Sequence, residues 1–377
     1  MREIAGNQER TGRPSGQSGY ALVLACLIAS CLVSYQGSAF AHDSTASLDT
    51  GGLTLTLNPD ISMESEDLYL SPGEVRVVYR FHNTSNHDIA TLVAFPLPVM
   101  TIGEQGNYDL EGRDPVDLMD FKVTAEGKTV EPKVEIRATR FGVDVTDVLK
   151  RYDIPPTMIA SGEGARSALN DRLDDLPQDA RNELTRYGVI DWNTAFGAAD
   201  KPLASTHWDR HITYYWFQTF PAGRTIEVTH HYKPVPRHFF FSKEELANPE
   251  TRKLYCIDQS FASAAQAALK QSSTAILAGT ELKYVLVTDG NWLGPIKKFN
   301  LTEEKPSEKA LVSLCADGIK RASPTTFTMS ADNYAPDSDL NVLFVELCLR
   351  LDPQPLTAGP SWHERCCRVG YEPSRVT

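Results

Sequence analysis

The 377-residue chain has only seven cysteines, and no two of them stand in a Cys-x-x-Cys pair. The common structural zinc sites and the dithiol redox motifs need that spacing, so both classes drop out. Basic residues are scarce as well: 37 Lys and Arg face 49 Asp and Glu, for a net charge of -12. A surface this acidic disfavours nucleic acid and anionic lipid as partners. The chain also lacks a phosphate-binding P-loop, a Gly-x-Gly-x-x-Gly fingerprint and a Gly-x-Ser-x-Gly nucleophile elbow. No motif implies a cofactor. Outside one run near the start, no apolar stretch approaches the roughly 20 residues of a membrane-spanning helix. These absences argue against an enzyme built on a local motif. They leave open a site assembled from distant residues.

What is present begins with that one apolar run, Tyr20 to Val33. Arg2, Arg10 and Arg13 precede it, and the small-residue exit Ala39-Phe40-Ala41 follows. Charged leader, apolar core and Ala-x-Ala-like exit make the plan of a secretory signal peptide. Residues 1–41 are therefore expected to be cut off, with Ala39 and Ala41 at the cleavage site and a periplasmic or secreted chain starting at His42. A competing address exists. Ile28-Ala29-Ser30-Cys31 looks like the box at which bacterial lipoproteins are cut and acylated, which would anchor the chain through Cys31. The soluble leader is preferred because Ala39-Phe40-Ala41 lies a normal distance past the apolar core. Export permits disulfides. Cys256 precedes a predicted helix and Cys315 ends the strand-like run Ala310 to Leu314, so these two are the expected pair; the alternative is two buried free thiols.

Period-two patterning dominates the mature chain. Val75, Val77, Tyr79 and Phe81 alternate with Arg76, Val78 and Arg80, bounded by the turn clusters Ser71-Pro72-Gly73 and Asn83-Thr84-Ser85-Asn86. Ile89 to Phe95 reads as the returning strand. Leu118 to Thr124 and Thr129 to Ala138 read as a hairpin turned at Glu126-Gly127-Lys128, and Ile212 to Phe220 with Arg224 to Tyr232 as an antiparallel pair. Later strands are expected at Leu282 to Val287, Ile296 to Leu301, Phe327 to Ser330 and Val342 to Val345. The period changes between Gly142 and Pro202, where a helical insertion is expected. A further helix is predicted from Asp258 to Lys270, with Asp258 as its N-cap and an alanine-rich face. The fold class that follows is mainly β: an antiparallel β-sandwich with a helical insertion and peripheral helices, α+β overall.

The order of motifs is familiar. Thr50-Gly51-Gly52-Leu53, Asn58-Pro59-Asp60-Ile61, Val75-Arg76-Val77, Tyr79-Arg80-Phe81 and Val93-Ala94-Phe95-Pro96 resemble a family of exported proteobacterial proteins known only as domain of unknown function, number forty-four twenty-four. Phe220-Pro221-Ala222-Gly223, Asn291-Trp292 with Gly294-Pro295, and Phe344-Val345-Glu346 resemble the same family. The resemblance implies export and one domain over residues 42–346, and it assigns no activity. The Tyr79-to-Asn83 strand followed by Phe95-Pro96-Leu97-Pro98 is also similar, across the first half only, to β-sandwich modules of vault and inter-alpha-trypsin proteins, which implies a binding or scaffold role. Residues 347–377, rich in Arg, Pro and Cys, depart from the family pattern and are expected to be a disordered tail.

Four constellations invite a chemical reading. His207 and His211 are four apart, which on a helix would turn both rings to one ion; they carry the alternative of a metal-dependent hydrolase, with a carboxylate such as Asp209. A surface loop is the plainer reading. Neighbouring strand residues point to opposite faces, so His230 and His231 cannot share an ion, and His230 is expected in the core. Asp337, Asp339 and Asn341 begin like a calcium loop, but Val342 stands where the glycine belongs. Tyr214 to Phe217 form an aromatic strand that is expected to fill the core. Trp208 and Trp292 are the expected binding residues, exposed in this reading, with packing of Trp292 over the sheet edge as the alternative. The function that emerges is a non-catalytic binding or envelope-associated module. Its expected partner is an envelope protein, peptide or glycan, with no nucleic acid and no membrane span in the mature chain.

Overall fold

The computed structural model describes residues 44–49, 52–101, 108, 110, 113–114, 116–157, 173–198, 201–286 and 291–347. The leader with Cys31, Ala39 and Ala41, and the tail with Cys348, Cys366 and Cys367, lie outside them.

In chain order the strands begin with β1 (Ser44–Asp49), β2 (Gly52–Thr56), β3 (Ile61–Leu70), β4 (Val75–Asn83), β5 (Ile89–Pro96) and β6 (Met100–Thr101). Next come β7 (Lys122–Ala125), β8 (Lys128–Val130), β9 (Lys133–Arg140) and β10 (Val143–Asp144). Helices α1 (Thr146–Arg151) and α2 (Gln178–Arg186) precede β11 (Ile190–Ala198), β12 (Lys201–Thr206), β13 (Asp209–Phe220), β14 (Thr225–Tyr232) and β15 (Arg237–Phe241). Helices α3 (Lys243–Ala247), α4 (Pro249–Leu254) and α5 (Gln259–Gln271) follow. The chain closes with β16 (Leu277–Tyr284), β17 (Ile296–Glu304), β18 (Leu311–Ser313), β19 (Lys320–Arg321), β20 (Thr326–Tyr334) and β21 (Leu340–Leu347).

These strands build three main sheets. An eight-stranded sheet runs β19-β20-β17-β3-β4-β14-β7-β8, with β17 and β3 its parallel pair. A seven-stranded sheet runs β10-β9-β13-β5-β1-β2, with β6 also on β13. A four-stranded sheet runs β15-β16-β21-β18. One continuous core takes residues from all three: Tyr79, Phe81, Val228, Phe299 and Leu301 from the first, Val93, Phe95, Tyr214 and Trp216 from the second, and Leu282, Tyr284, Val342 and Phe344 from the third. The eight-stranded sheet thus gives its apolar face to a core that both other sheets share. The alternation in β4 explains why: Val75, Val77, Tyr79 and Phe81 are at most 1% exposed, while Arg76 and Arg80 point to water. The antiparallel, mainly β architecture is as the sequence pattern predicted.

Two boundaries differ from expectation. The turn at Glu126-Gly127 is real, and both residues hold positive φ, as a two-residue primed turn requires. Its return strand is the short β8, however. The chain then crosses to the seven-stranded sheet as β9, so residues 118–138 serve two sheets. The insertion is only partly helical: α1 and α2 are followed by the β11–β12 hairpin. Trp208, Leu149, Leu184 and Ile190 form a separate small core there.

Helix α5 starts where the sequence placed it. The Asp258 carboxylate accepts from Phe261 N at 2.7 Å. Its apolar face, Phe261, Ala262, Ala265 and Leu269, packs on Leu277, Leu343 and Val345 of the four-stranded sheet. Burying side chains of the size of Phe261 and Leu269 stabilises by about 1.5–3 kcal/mol each. Cys256 and Cys315 are joined by a disulfide, with Cα atoms 5.0 Å apart. At the other end of the chain the β1–β2 hairpin curls back over its own sheet. Leu53 N donates to Glu135 Oε1 at 3.0 Å, although three strands separate β9 from β2 in the sheet order. Leu92 and Ala94 are covered as a result.

Candidate functional site

The three sheets leave a pocket where their ends meet. Pro98, Val99 and Met100 line it from the β5–β6 segment, Tyr232, Pro234 and Val235 from the end of β14, and Arg237, Glu281, Leu282 and Lys283 from the four-stranded sheet; Tyr108 and Met119 complete the wall. Its volume is about 30 Å³, above the roughly 10–15 Å³ that a single water needs. The connection between β14 and β15 is pinned in place by Arg113, whose guanidinium donates to the carbonyls of Leu118, Lys233 and Pro234.

Glu281 anchors the polar wall. It is 3% exposed and sits directly across from Arg237 in the β15–β16 ladder. Arg237 Nε donates to its Oε2 at 2.7 Å, and the Tyr255 hydroxyl donates to its Oε1 at 2.6 Å. Lys283 Nζ stands 3.7 Å away. Burial alone would raise the Glu281 pKa, but Lys283, Arg237 and Tyr255 outweigh it and hold the carboxyl below its usual range. Burial and the Glu281 charge push the Tyr255 hydroxyl well above its ordinary value, so it stays a donor. Tyr108, desolvated and close to Glu281, is raised in the same way. Tyr108 also pairs with Arg237 through an isolated backbone bridge.

Arg210 stands on β13 of the seven-stranded sheet, beside the lining residue Met100 and not itself part of the pocket wall. It faces Met100 across β6 and Ala138 across β9, so it projects from the same side as the pocket-lining Met100. The side chain is fully buried. Nη1 donates to Thr157 O at 3.3 Å, while Nε and Nη2 have no hydrogen-bond partner among the described residues. Desolvation lowers its pKa to about 10, which still leaves it charged at neutral pH. A second buried charged side chain lies on β17. Glu303 is fully buried, neither carboxyl oxygen has a partner among the described residues, and desolvation raises its pKa to about 8 against the pull of Lys305. Lys305 itself donates to the carbonyls of Glu308 and Ala310.

The residues singled out by sequence are dispersed. His207 faces Asp191, with Nε2 to Oδ2 at 3.2 Å, and His211 Nε2 lies 2.9 Å from the Thr139 hydroxyl. They sit on extended chain, where four residues span about 13 Å, and no cluster of three or more metal-ligating side chains forms among the described residues. The expected exposed tryptophans are core side chains instead. Trp208 is 1% exposed and donates from its indole to Pro156 O at 3.1 Å. Trp292 is 2% exposed and packs on Phe81 and Phe220. A bulky ring in a turn finds more apolar surface inward than it loses by leaving the loop. His230 is buried among Tyr79, Phe95, Phe121 and Trp216, the core position its strand parity predicted. The Asp339 carboxylate accepts from Leu286 N at 3.0 Å in the segment that leads into β21.

Sequence reasoning missed Glu281, Arg237, Tyr108, Arg210 and Glu303. For two of them a signal was available. Arg210 falls on the inward parity of Ile212, Tyr214 and Trp216, and Glu303 on that of Phe299 and Leu301.

A family model described as "Domain of unknown function (DUF4424)" matches residues 41–343. The chain belongs to this family. Every residue of the DUF4424 pocket, and Arg210 and Glu303 with it, falls inside the matched span. Among solved structures, a Legionella pneumophila protein described as a "putative nutrient binding protein" is 16% identical, with 77% of this chain and 68% of that chain covered at a TM-score of 0.37. That likeness is too low to carry an argument. No curated protein matches the chain. Among the described residues no helix is long and apolar enough to cross a membrane.

Proposed function

We propose that the chain is an exported, non-catalytic binding module for an envelope protein, peptide or glycan. In this reading residues 1–41 are a removed leader, residues 42–346 form one domain with its insertion at 142–202, and residues 347–377 are a divergent tail. The observation that carries the reading is the mixed-charge pocket at the meeting of three sheets, with Tyr108, Arg237, Glu281 and Lys283 on its wall. Rigid strands hold these groups at fixed positions, which suits recognition of a polar ligand group. The same geometry makes Glu281 a poor general base. Its carboxylate is held ionised and engaged by Arg237 and Tyr255, so its proton affinity is low where a base needs it near the working pH.

The test is direct binding. Purified mature protein and a Tyr108→Ala/Lys283→Ala variant are titrated with defined envelope peptides and oligosaccharides. At least one should bind the wild type and lose about tenfold or more in affinity in the variant. Binding that survives the double change unaltered would place the site elsewhere. Export is tested separately by the mass of the mature N-terminus, which should begin near His42; a retained leader or an acylated Cys31 would overturn the soluble form.

A further inference from the structure

The guanidinium of Arg210 is placed as a receptor is placed. Its two unengaged donors are not scattered: Nε and Nη2 carry the pair of parallel N–H bonds on one edge of the planar group, the edge that binds a carboxylate or phosphate in two-pronged fashion. The remaining nitrogen, Nη1, is tied to Thr157 O and fixes the plane. Opposite β6 the cross-strand neighbour is Met100, a wall residue of the pocket, and opposite β9 it is Ala138, which is small. The titratable group that acts on Arg210 among the described residues is Tyr108, also on the pocket wall. Glu281, the carboxylate that also acts on Tyr108, is already engaged by Arg237 and Tyr255. A charge buried without a counter-ion is unfavourable unless something supplies one.

We infer that Arg210 is an oxyanion receptor: its Nε–Nη2 edge takes the carboxylate or phosphate group of a small ligand that enters past Met100 and Tyr108. This deepens the binding reading, because it names the chemical class that the pocket accepts. Arg210 would supply the charge, and Tyr108 would add a hydroxyl donor at the mouth.

The experiment uses the mature protein at constant ionic strength and pH 7, titrated calorimetrically with sodium acetate and with inorganic phosphate, chloride serving as the control. One of the two oxyanions should bind, and which one does separates a carboxylate ligand from a phosphate ligand. Arg210→Lys keeps the charge but removes the paired edge, and should weaken that binding at least tenfold. If neither oxyanion binds more tightly than chloride, or if Arg210→Lys binds as well as the wild type, the assignment is wrong. Should Arg210→Lys fail to fold, crystals of the wild type soaked in selenate decide the matter: anomalous density within hydrogen-bond distance of Nε and Nη2 supports the receptor, and an empty edge overturns it. Oxyanion binding without any envelope peptide or glycan would sink the broader function and leave this inference standing. The converse result would do the opposite.

Discussion

Glu303 makes the stability of this protein depend on pH in a direction opposite to most carboxylates. Its side chain is fully buried on β17, and neither oxygen has a hydrogen-bond partner among the described residues. Desolvation is the main cause that lifts its pKa from the ordinary 4.5 to about 8, Lys305 opposing and Glu304 assisting. The folded state therefore holds this proton more tightly than the unfolded chain does. Below about pH 4.5 the group is protonated in both states and contributes nothing to the pH dependence. Between about 4.5 and 8 the unfolded chain loses the proton and the folded chain keeps it, so stability falls as pH rises. Above about 8 the full penalty of a buried carboxylate applies. A change of that size in proton affinity is worth on the order of 5 kcal/mol. Glu303→Gln replaces the protonated acid by a neutral group of similar shape. At pH 5 the two proteins should match to within about 1 kcal/mol, a typical cost of one altered neutral polar group. By pH 8.5 the variant should be more stable by several kcal/mol, on the order of the same linkage. Urea unfolding at half-unit pH steps reads this as a midpoint that drops with pH in the wild type and drops less in the variant, with unchanged slope. Parallel midpoint curves would refute the reasoning, because they would mean that the native carboxyl titrates as it does in the unfolded chain.

The remaining predictions rest on other parts of the fold. Cys315→Ser opens a loop with a sequence separation of 59 and should cost about 4 kcal/mol on chain-entropy grounds; a non-reducing peptide map showing two free thiols in the wild type would remove its basis. Trp208→Ala empties the centre of the small core under the insertion and should cost about 3–5 kcal/mol in denaturant unfolding; a near-neutral change would mean that the ring is not packed. Phe217 is 81% exposed on the outer face of β13, so Phe217→Ser should change stability by no more than about 0.5 kcal/mol. A large loss there would show that something covers this face.

Much of the scaffold could be read from local pattern, since strand parity and turn residues act over a few positions. The alternation in β4 announced its inward and outward faces, and Asp258 announced the start of α5. Strand parity put His230 in the core for the same reason. Trp292 lies in a loop, where no such parity operates, and Trp208 lies just ahead of β13 on the inward parity of Ile212, Tyr214 and Trp216, a parity hidden while the strand was expected to begin at Ile212; both were expected at the surface and lie in the core. The pairing partners of β8 and β9 were equally hidden, because a strand's pattern states which face is buried but not which sheet buries it.

The candidate site shows the same division more sharply. Composition and local motifs by themselves determined an acidic, strand-rich chain with a leader-like start, and that much needs no contact between distant residues. The tertiary structure alone decided that Tyr108, Arg237 and Glu281 gather at one pocket with Arg210 opposite its wall residue Met100, since β6 and β13 lie in one sheet and β15 and β16 in another, and these meet only after the core has closed. Parity marks Arg210 and Glu303 as inward-facing, but only the tertiary structure decided that Nε and Nη2 of the one and both carboxyl oxygens of the other are buried without a hydrogen-bond partner among the described residues.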